Sequence, residues 1–216
     1  MIHSDVPAFV RANLPPPPAR VLEIGAGDGA LSDALRAAGY EMTAIDPEPS
    51  GAGVRACALR DLDEPAASFA AAVAVVSLHH VEPLDESLEH LAELLEPGGT
   101  LVVDEFDVGA FDREAAAWWL EQRRTLGTHD DATPDELVDE HRRHLHTLEQ
   151  IRDALRPHFD VSRPVRGAYL YRWDLDQSLR AVEEDVIARG ELPAVGARFV
   201  ARRLTRDEAA ATTLPA

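Results

Sequence analysis

Cysteine is almost absent from this chain. Cys57 stands alone among 216 residues, so no internal disulfide can form and nothing points to an oxidising compartment. It sits in a strand-like run, Arg55 to Leu59, where a small buried thiol is the ordinary expectation. Long apolar runs are missing too: no window approaches the ~18 consecutive apolar residues of a membrane helix. The opening Met1-Ile2-His3-Ser4-Asp5 lacks the basic stretch and apolar core of a secretory signal, so a cytoplasmic protein is expected. Basic residues are outnumbered. Lys and Arg total 21 against 39 Asp and Glu, leaving a formal net charge of −18. That surplus repels polyanions, and doublets such as Arg142-Arg143 and Arg202-Arg203 are too short to compensate. Neither nucleic acid nor an anionic membrane is an expected partner.

What is present suits one α/β domain, with 45% hydrophobic residues to build a core. Residues 1–20 read as a lead-in whose Pro15 to Pro18 run is extended, and residues 21–216 as a single domain. Val21 to Ile24 reads as a buried strand, Ala30 to Ala38 as a helix capped by Gly39, and Met42 to Ile45 as the next strand. That β-loop-α-β order predicts a parallel sheet. Val54 to Leu59, Ala72 to Val76 and Thr100 to Val103 continue it, with a helix over 84–95 marked by Leu84, Leu88, Leu91 and Leu95. Residues 107–146 interrupt the alternation and read as a helical lid. Asp112 caps a helix there, and Thr133-Pro134-Asp135-Glu136 forms a capping box; Thr147 to Gln150 forms another. Phe159 to Val161, Tyr169 to Tyr171 and Arg198 to Ala201 read as strands, and residues 176–189 as a helix closed by Gly190. On that reading Tyr169, Tyr171 and Trp173 share one strand face, which packs under the following helix or, alternatively, stacks an aromatic acceptor.

Glycines at 25, 27 and 29 form a loop between a strand and a helix, where bare backbone and helix N-terminal amides can meet a ligand. Many nucleotide binders share this, and two details narrow it. The dinucleotide pattern places its third glycine three residues after the second, but position 30 is alanine. Glu23, two residues before the loop, is ill-suited to a pyrophosphate and well-suited to a ligand carrying an ammonium group.

With those residues the chain resembles the class I S-adenosylmethionine-dependent methyltransferases. The match consists of Val21 to Gly29, Asp46 ending the second strand, Ser77-Leu78-His79-His80 after the fourth, and Leu95 to Gly99 before the fifth. It covers roughly residues 20–106. The resemblance implies a three-layer Rossmann-like sandwich with a seven-stranded, mostly parallel sheet and an antiparallel last strand. It implies S-adenosylmethionine as cofactor and S-adenosylhomocysteine as product. Carried onto this chain, Glu23 orients the methionine ammonium through water or the loop backbone, and Gly25, Ala26 and Gly27 line the methionine and ribose. Asp46, followed by Pro47, accepts the ribose hydroxyls. Asp61 faces the adenine amino group with Leu62 beside the ring, and Ser77 and Leu78 border the methionine through their backbone. Only fourteen residues, rich in proline and glycine, separate Asp46 from Asp61, so the usual second helix is short or missing.

The implied reaction is methyl transfer to a small-molecule acceptor at oxygen, nitrogen or carbon. Either His79 or His80 is a candidate base for an acceptor that must lose a proton; the alternative is that they shape the loop. Trp118 or Trp119 is a candidate wall of the acceptor pocket, or both are core. The run His141 to His146 lacks histidines at i and i+4, so no metal is expected and a solvated helix face is the plainer reading. Two other classes stand open: an NAD-dependent Rossmann oxidoreductase, and a catalytically silent methyltransferase-like scaffold.

Overall fold

The computed structural model describes residues 5–128, 130–205, 207 and 208. The first four residues of the lead-in and residues 209–216 of the expected domain lie outside the described residues. One mixed sheet organises the rest. Strands β1 (Arg20–Ile24), β2 (Glu41–Asp46), β3 (Arg55–Ala56), β4 (Phe69–Val75) and β5 (Leu95–Phe106) are parallel. Strand β8 (Gly196–Arg203) runs antiparallel to β5, with β6 (Phe159–Val161) and β7 (Val165–Gly167) antiparallel to β8. The order is β3-β2-β1-β4-β5-β8-β6, with β7 pairing β8 off that path. Helices α1 (Val6–Asn13) and α2 (Ala30–Ala37) cover one face. The other is covered by α3 (Leu84–Leu94) and α6 (Leu148–Leu155). This is the three-layer Rossmann-like sandwich, carrying one strand more than the sequence reading counted.

Burial follows the strand period. Val102 packs with Val6, Val10 and Leu35 on the α1–α2 side, whereas Leu101 and Val103 join Leu88, Leu91 and Ile151 on the other. The sheet reverses its winding between β1 and β4, and that crevice is where an open α/β sheet receives its ligand. Above this edge sits a third cluster. It joins α4 (Arg113–Thr125) and α5 (Pro134–His144) to a 3₁₀ turn (Leu170–Arg172), with α7 (Leu179–Ala188) against it. The Asp112 carboxylate accepts from the Ala115 N–H, and the Thr133–Glu136 and Thr147–Gln150 boxes close reciprocally.

Three readings of the sequence are corrected. Residues 6–13 form a helix within the lead-in, because Val6 and Val10 have the sheet to bury against. The strand read over Val54 to Leu59 pairs only at Arg55 and Ala56, after which the chain tightens into a 3₁₀ turn, Leu59–Asp61. Tyr169 to Tyr171 is not a strand. The Glu183 carboxylate takes the N–H groups of Tyr169, Leu170 and Tyr171 at 2.7, 2.9 and 2.8 Å, leaving none for a sheet ladder.

A buried ion network ties the sheet to its cover. Asp104, cross-strand from Arg198, accepts from Arg172 at 2.8 Å and Arg198 at 2.7 Å, and Arg198 reaches on to Asp5 at 2.9 Å. Burial pushes the Arg172 guanidinium down, and the Asp104 charge more than offsets it. Removing one partner of such a network leaves the others buried and uncompensated. Asp104→Asn should therefore cost roughly 3 kcal/mol in urea denaturation, with little change in m-value. A loss within experimental error would show that water replaces the network.

Candidate active site

Beyond Ile24 the chain turns through Gly25, Ala26, Gly27, Asp28 and Gly29 into α2. The three glycines hold φ of +70°, +52° and +77°, a region costly for other residues. At Gly25 the need is also steric: a Cβ there would lie 2.3 Å from the Ser77 Cβ. The Gly25 and Ala26 N–H groups donate to the Ile45 carbonyl at 2.9 and 3.0 Å, tying the loop to β2. Asp28 turns its carboxylate onto the Ala30 N–H at 3.0 Å, and that hydrogen bond holds the carboxyl below its usual range. The helix end that a pyrophosphate would need is therefore already met by an anion from the chain itself.

Two cavities open at this edge and share Gly25. The larger, about 620 Å³, is bordered by Gly25, Asp46, Pro47, Cys57, Ser77 and His80. The smaller, about 360 Å³, is bordered by Glu23, Ala26, Gly27, Asp28 and Ser50. Neither lining includes a lysine or an arginine, and both are acidic. Burial pushes the Glu23 carboxyl up to about 7, even though the Ser32 hydroxyl donates to it. Such walls suit a cationic ligand and oppose a phosphorylated one.

Comparisons with known proteins agree. Residues 3–157 match the family model described as a methyltransferase domain. The chain belongs to that family. A ubiquinone biosynthesis O-methyltransferase from Xanthomonas axonopodis pv. citri is 37% identical over 108 residues, which is 43% of this chain and 45% of that protein. The chain thus spans about half the length of the curated relatives it matches. Among solved structures, an S-adenosylmethionine-dependent methyltransferase from Mesorhizobium loti superposes with a TM-score of 0.60 at 17% identity, covering 93% of this chain and 98% of that one. The Burkholderia thailandensis 1,6-didemethyltoxoflavin-N1-methyltransferase, bound to its acceptor and S-adenosylhomocysteine, gives 0.52 at 23% identity, covering 87% and 72%. These likenesses establish the Rossmann-like methyltransferase fold.

The residues present fit the family's cofactor. Gly27 leaves open space, since a Cβ there would meet no atom within 4 Å. Ser87 borders the larger cavity and carries a buried hydroxyl without a hydrogen-bond partner among the described residues. Asp46 also lies on that cavity, but its carboxylate is partly engaged: it accepts from the Gly27 N–H at 2.9 Å and the Glu48 N–H at 2.8 Å. It therefore shapes the loop as well as facing the ligand space. Asp61 and Leu62 are a correction. Asp61 is 64% exposed and pairs with Arg60, while Leu62 is buried in the core. With no helix between β2 and β3, the wall falls instead to Cys57, Ala58 and Leu59, and Cys57 is half-buried at the cavity rather than in the core. Leu78 keeps its side chain in the core, and its N–H, expected to border the methionine, is already given to Glu105 at 2.9 Å.

A third cavity, about 450 Å³, adjoins the larger one, and Val76 and His80 border both. Val76 holds a φ of +53°, a strained conformation for a β-branched residue, at this junction. Phe106, Tyr169 and Trp173 supply aromatic wall, and His79, His141 and His144 supply imidazoles. His79 is buried, with Nδ1 2.5 Å from the Glu105 carboxylate, which also accepts from the Phe106 N–H. His80 lies across the His79 ring at 4.2 Å, and burial pushes its imidazole down. Neither Trp118 nor Trp119 borders the cavity. Trp119 is core, stacked on Trp173 at 4.3 Å and donating to its carbonyl. Tyr169 and Trp173 were legible as a candidate stacking surface, whereas Glu105 and Phe106 carried no sequence signal, because a buried acid in an apolar strand and rings far apart in the chain meet only in the fold.

Glu23 generates a pH dependence. A cationic group entering the smaller cavity is favoured by the ionised carboxylate, so affinity for S-adenosylhomocysteine should strengthen up to about tenfold between about pH 6 and about pH 8. Without ligand the sign reverses. The raised value makes Glu23's contribution to stability complete below 4.5 and lost as pH rises through about 7. Calorimetric titration across that range checks the first point and urea denaturation the second, with Glu23→Gln flattening both.

Proposed function

We propose that this chain transfers the methyl group of S-adenosylmethionine to a small-molecule acceptor, at an acceptor hydroxyl. The observation that carries this reading is the adjacency of two cavities across Val76 and His80. One is acidic and meets the glycine loop; the other is aromatic and rich in histidine. When bound, the cofactor would supply a methyl group activated by its sulfonium, with neutral S-adenosylhomocysteine as a leaving group that needs no protein acid. The chain's own task is then alignment, exclusion of water and removal of the acceptor's proton.

Glu23 would hold the ammonium, the loop backbone and Asp46 the methionine and ribose, and the Cys57 to Leu59 wall and Ser87 the base. His79 is the group we assign to proton removal. Its Nδ1–H is directed onto Glu105, which leaves Nε2 as the nitrogen able to accept a proton, and the residue borders the third cavity. Glu105 orients the ring and stabilises the imidazolium that forms. We assign to residues 107–146, which include α4 and α5, the role of covering the acceptor. The O-methyltransferase name of the curated relatives supports an oxygen acceptor. A cofactor-binding domain without turnover is the second reading, favoured by the missing helix between β2 and β3.

Titration with S-adenosylmethionine, S-adenosylhomocysteine and NAD separates these. Micromolar affinity for the first two and none for NAD is expected, and no binding of any would overturn the reading. Screening phenolic acceptors for S-adenosylhomocysteine release then tests turnover. His79→Asn and Glu105→Gln should each lower kcat by about a hundredfold while cofactor affinity stays intact. Undiminished kcat in both variants would remove the base assignment.

A further inference from the structure

We infer that Val76 restricts the transferred group to methyl, by standing in the wall that the cofactor and acceptor cavities share. This rests on the proposed methyl transfer and names the residue that sets the size of what is transferred. Alternation along β4 sends Ala72 and Ala74 to the α3–α6 side of the sheet, and Ala71 and Val73 to the α1–α2 side. One further step of strand would bury Val76 beside Ala74. Instead β4 ends at Val75, one residue short of the strand read from the sequence. The φ of +53° at Val76 then takes its side chain off the sheet face, and it packs against the cluster of Phe106 and Tyr169 above the edge.

Three hydrogen bonds hold this conformation. The Val76 N–H donates to the Asp104 carbonyl at 2.7 Å, the Ser77 hydroxyl to the Ile24 carbonyl at 2.8 Å, and the Leu78 N–H to Glu105 at 2.9 Å. Ser77 also packs on the bare Cα of Gly25, so the turn abuts the glycine loop. A β-branched residue is poorly suited to positive φ, and such an outlier persists only where its surroundings over-determine it. Its place explains the strain. Transfer from one cavity to the other crosses the wall they share, and among the described residues only Val76 and His80 border both. His80 is exposed and polar, whereas Val76 is half-buried, apolar and stiff about its first side-chain torsion. An isopropyl group fixed there leaves room for one carbon on the cofactor's sulfur and opposes a second.

Calorimetric titration of the full chain with S-adenosylhomocysteine, S-adenosylmethionine and the S-ethyl analogue of S-adenosylmethionine tests this without an acceptor. The S-ethyl analogue should bind at least about tenfold more weakly than S-adenosylmethionine, the discrimination an apolar wall makes against one added methylene. Glycine adopts positive φ without strain, so Val76→Gly keeps the turn, and in it that ratio should fall to about one. Val76→Ala should give an intermediate ratio. S-adenosylhomocysteine, with no third substituent on its sulfur, should bind all three proteins alike. A ratio of about one in the unaltered chain overturns the inference. So does an undiminished ratio in Val76→Gly with all three ligands weakened together, which is what a purely structural role would give. If neither S-adenosylhomocysteine nor S-adenosylmethionine binds the unaltered chain, the methyl-transfer reading falls instead.

Discussion

Two carboxylates stand side by side at the end of β5, Asp104 at 2% exposure and Glu105 at 0%. Strand alternation sends them to opposite faces of the sheet, and neither can be left without donors in that position. Asp104 is met by Arg172 and Arg198, and through Arg198 by Asp5 at the head of α1. Glu105 is met by the Leu78 and Phe106 N–H groups and by the His79 ring. One requirement thus anchors α1, β8 and the 3₁₀ turn carrying Tyr171, while the other sets the turn after β4. The walls of the acceptor cavity are a consequence of both.

Glu183 adds a third buried acid with a similar role. By taking three successive backbone donors it holds the segment from Tyr169 as a tight turn, which presents Tyr169 and Trp173 to the cavity and sends Tyr171 into the core. Trp119 then stacks on Trp173, so α4 acts on the cavity through a neighbour and not by touching it. His79 and His141 complete the arrangement, each with one nitrogen committed to the scaffold. Preorganisation of this kind is what a reaction with a built-in leaving group asks of its protein.

The cofactor side depends on charge. Asp28 occupies the helix end and Asp46 secures the glycine loop, leaving acidic cavities without a cation to hold phosphate. That separates the site from a dinucleotide site built on the same kind of sheet. A shared fold would not have done so, since function resides in the site and not in the architecture.

Much of this was legible in the residues alone. The glycine loop, the alternation of strand and helix, the Thr133 and Thr147 capping boxes and the missing helix after Asp46 are local signals, each complete within a few residues. Other features could not be read that way. The α1 helix needed the sheet to bury Val6 and Val10 against, and the Tyr169 to Tyr171 strand dissolved because Glu183, 12 residues beyond Tyr171, claims its amides. Asp61 fell outside the cavity because a short crossover moved the wall to Cys57, Ala58 and Leu59. The sequence by itself determined the fold class and the kind of ligand, because backbone conformation and charge are properties of neighbouring residues. Only the tertiary structure decided which histidines line the third cavity and which acid orients His79, because those contacts join positions 26 residues apart and depend on how α4 and α5 pack.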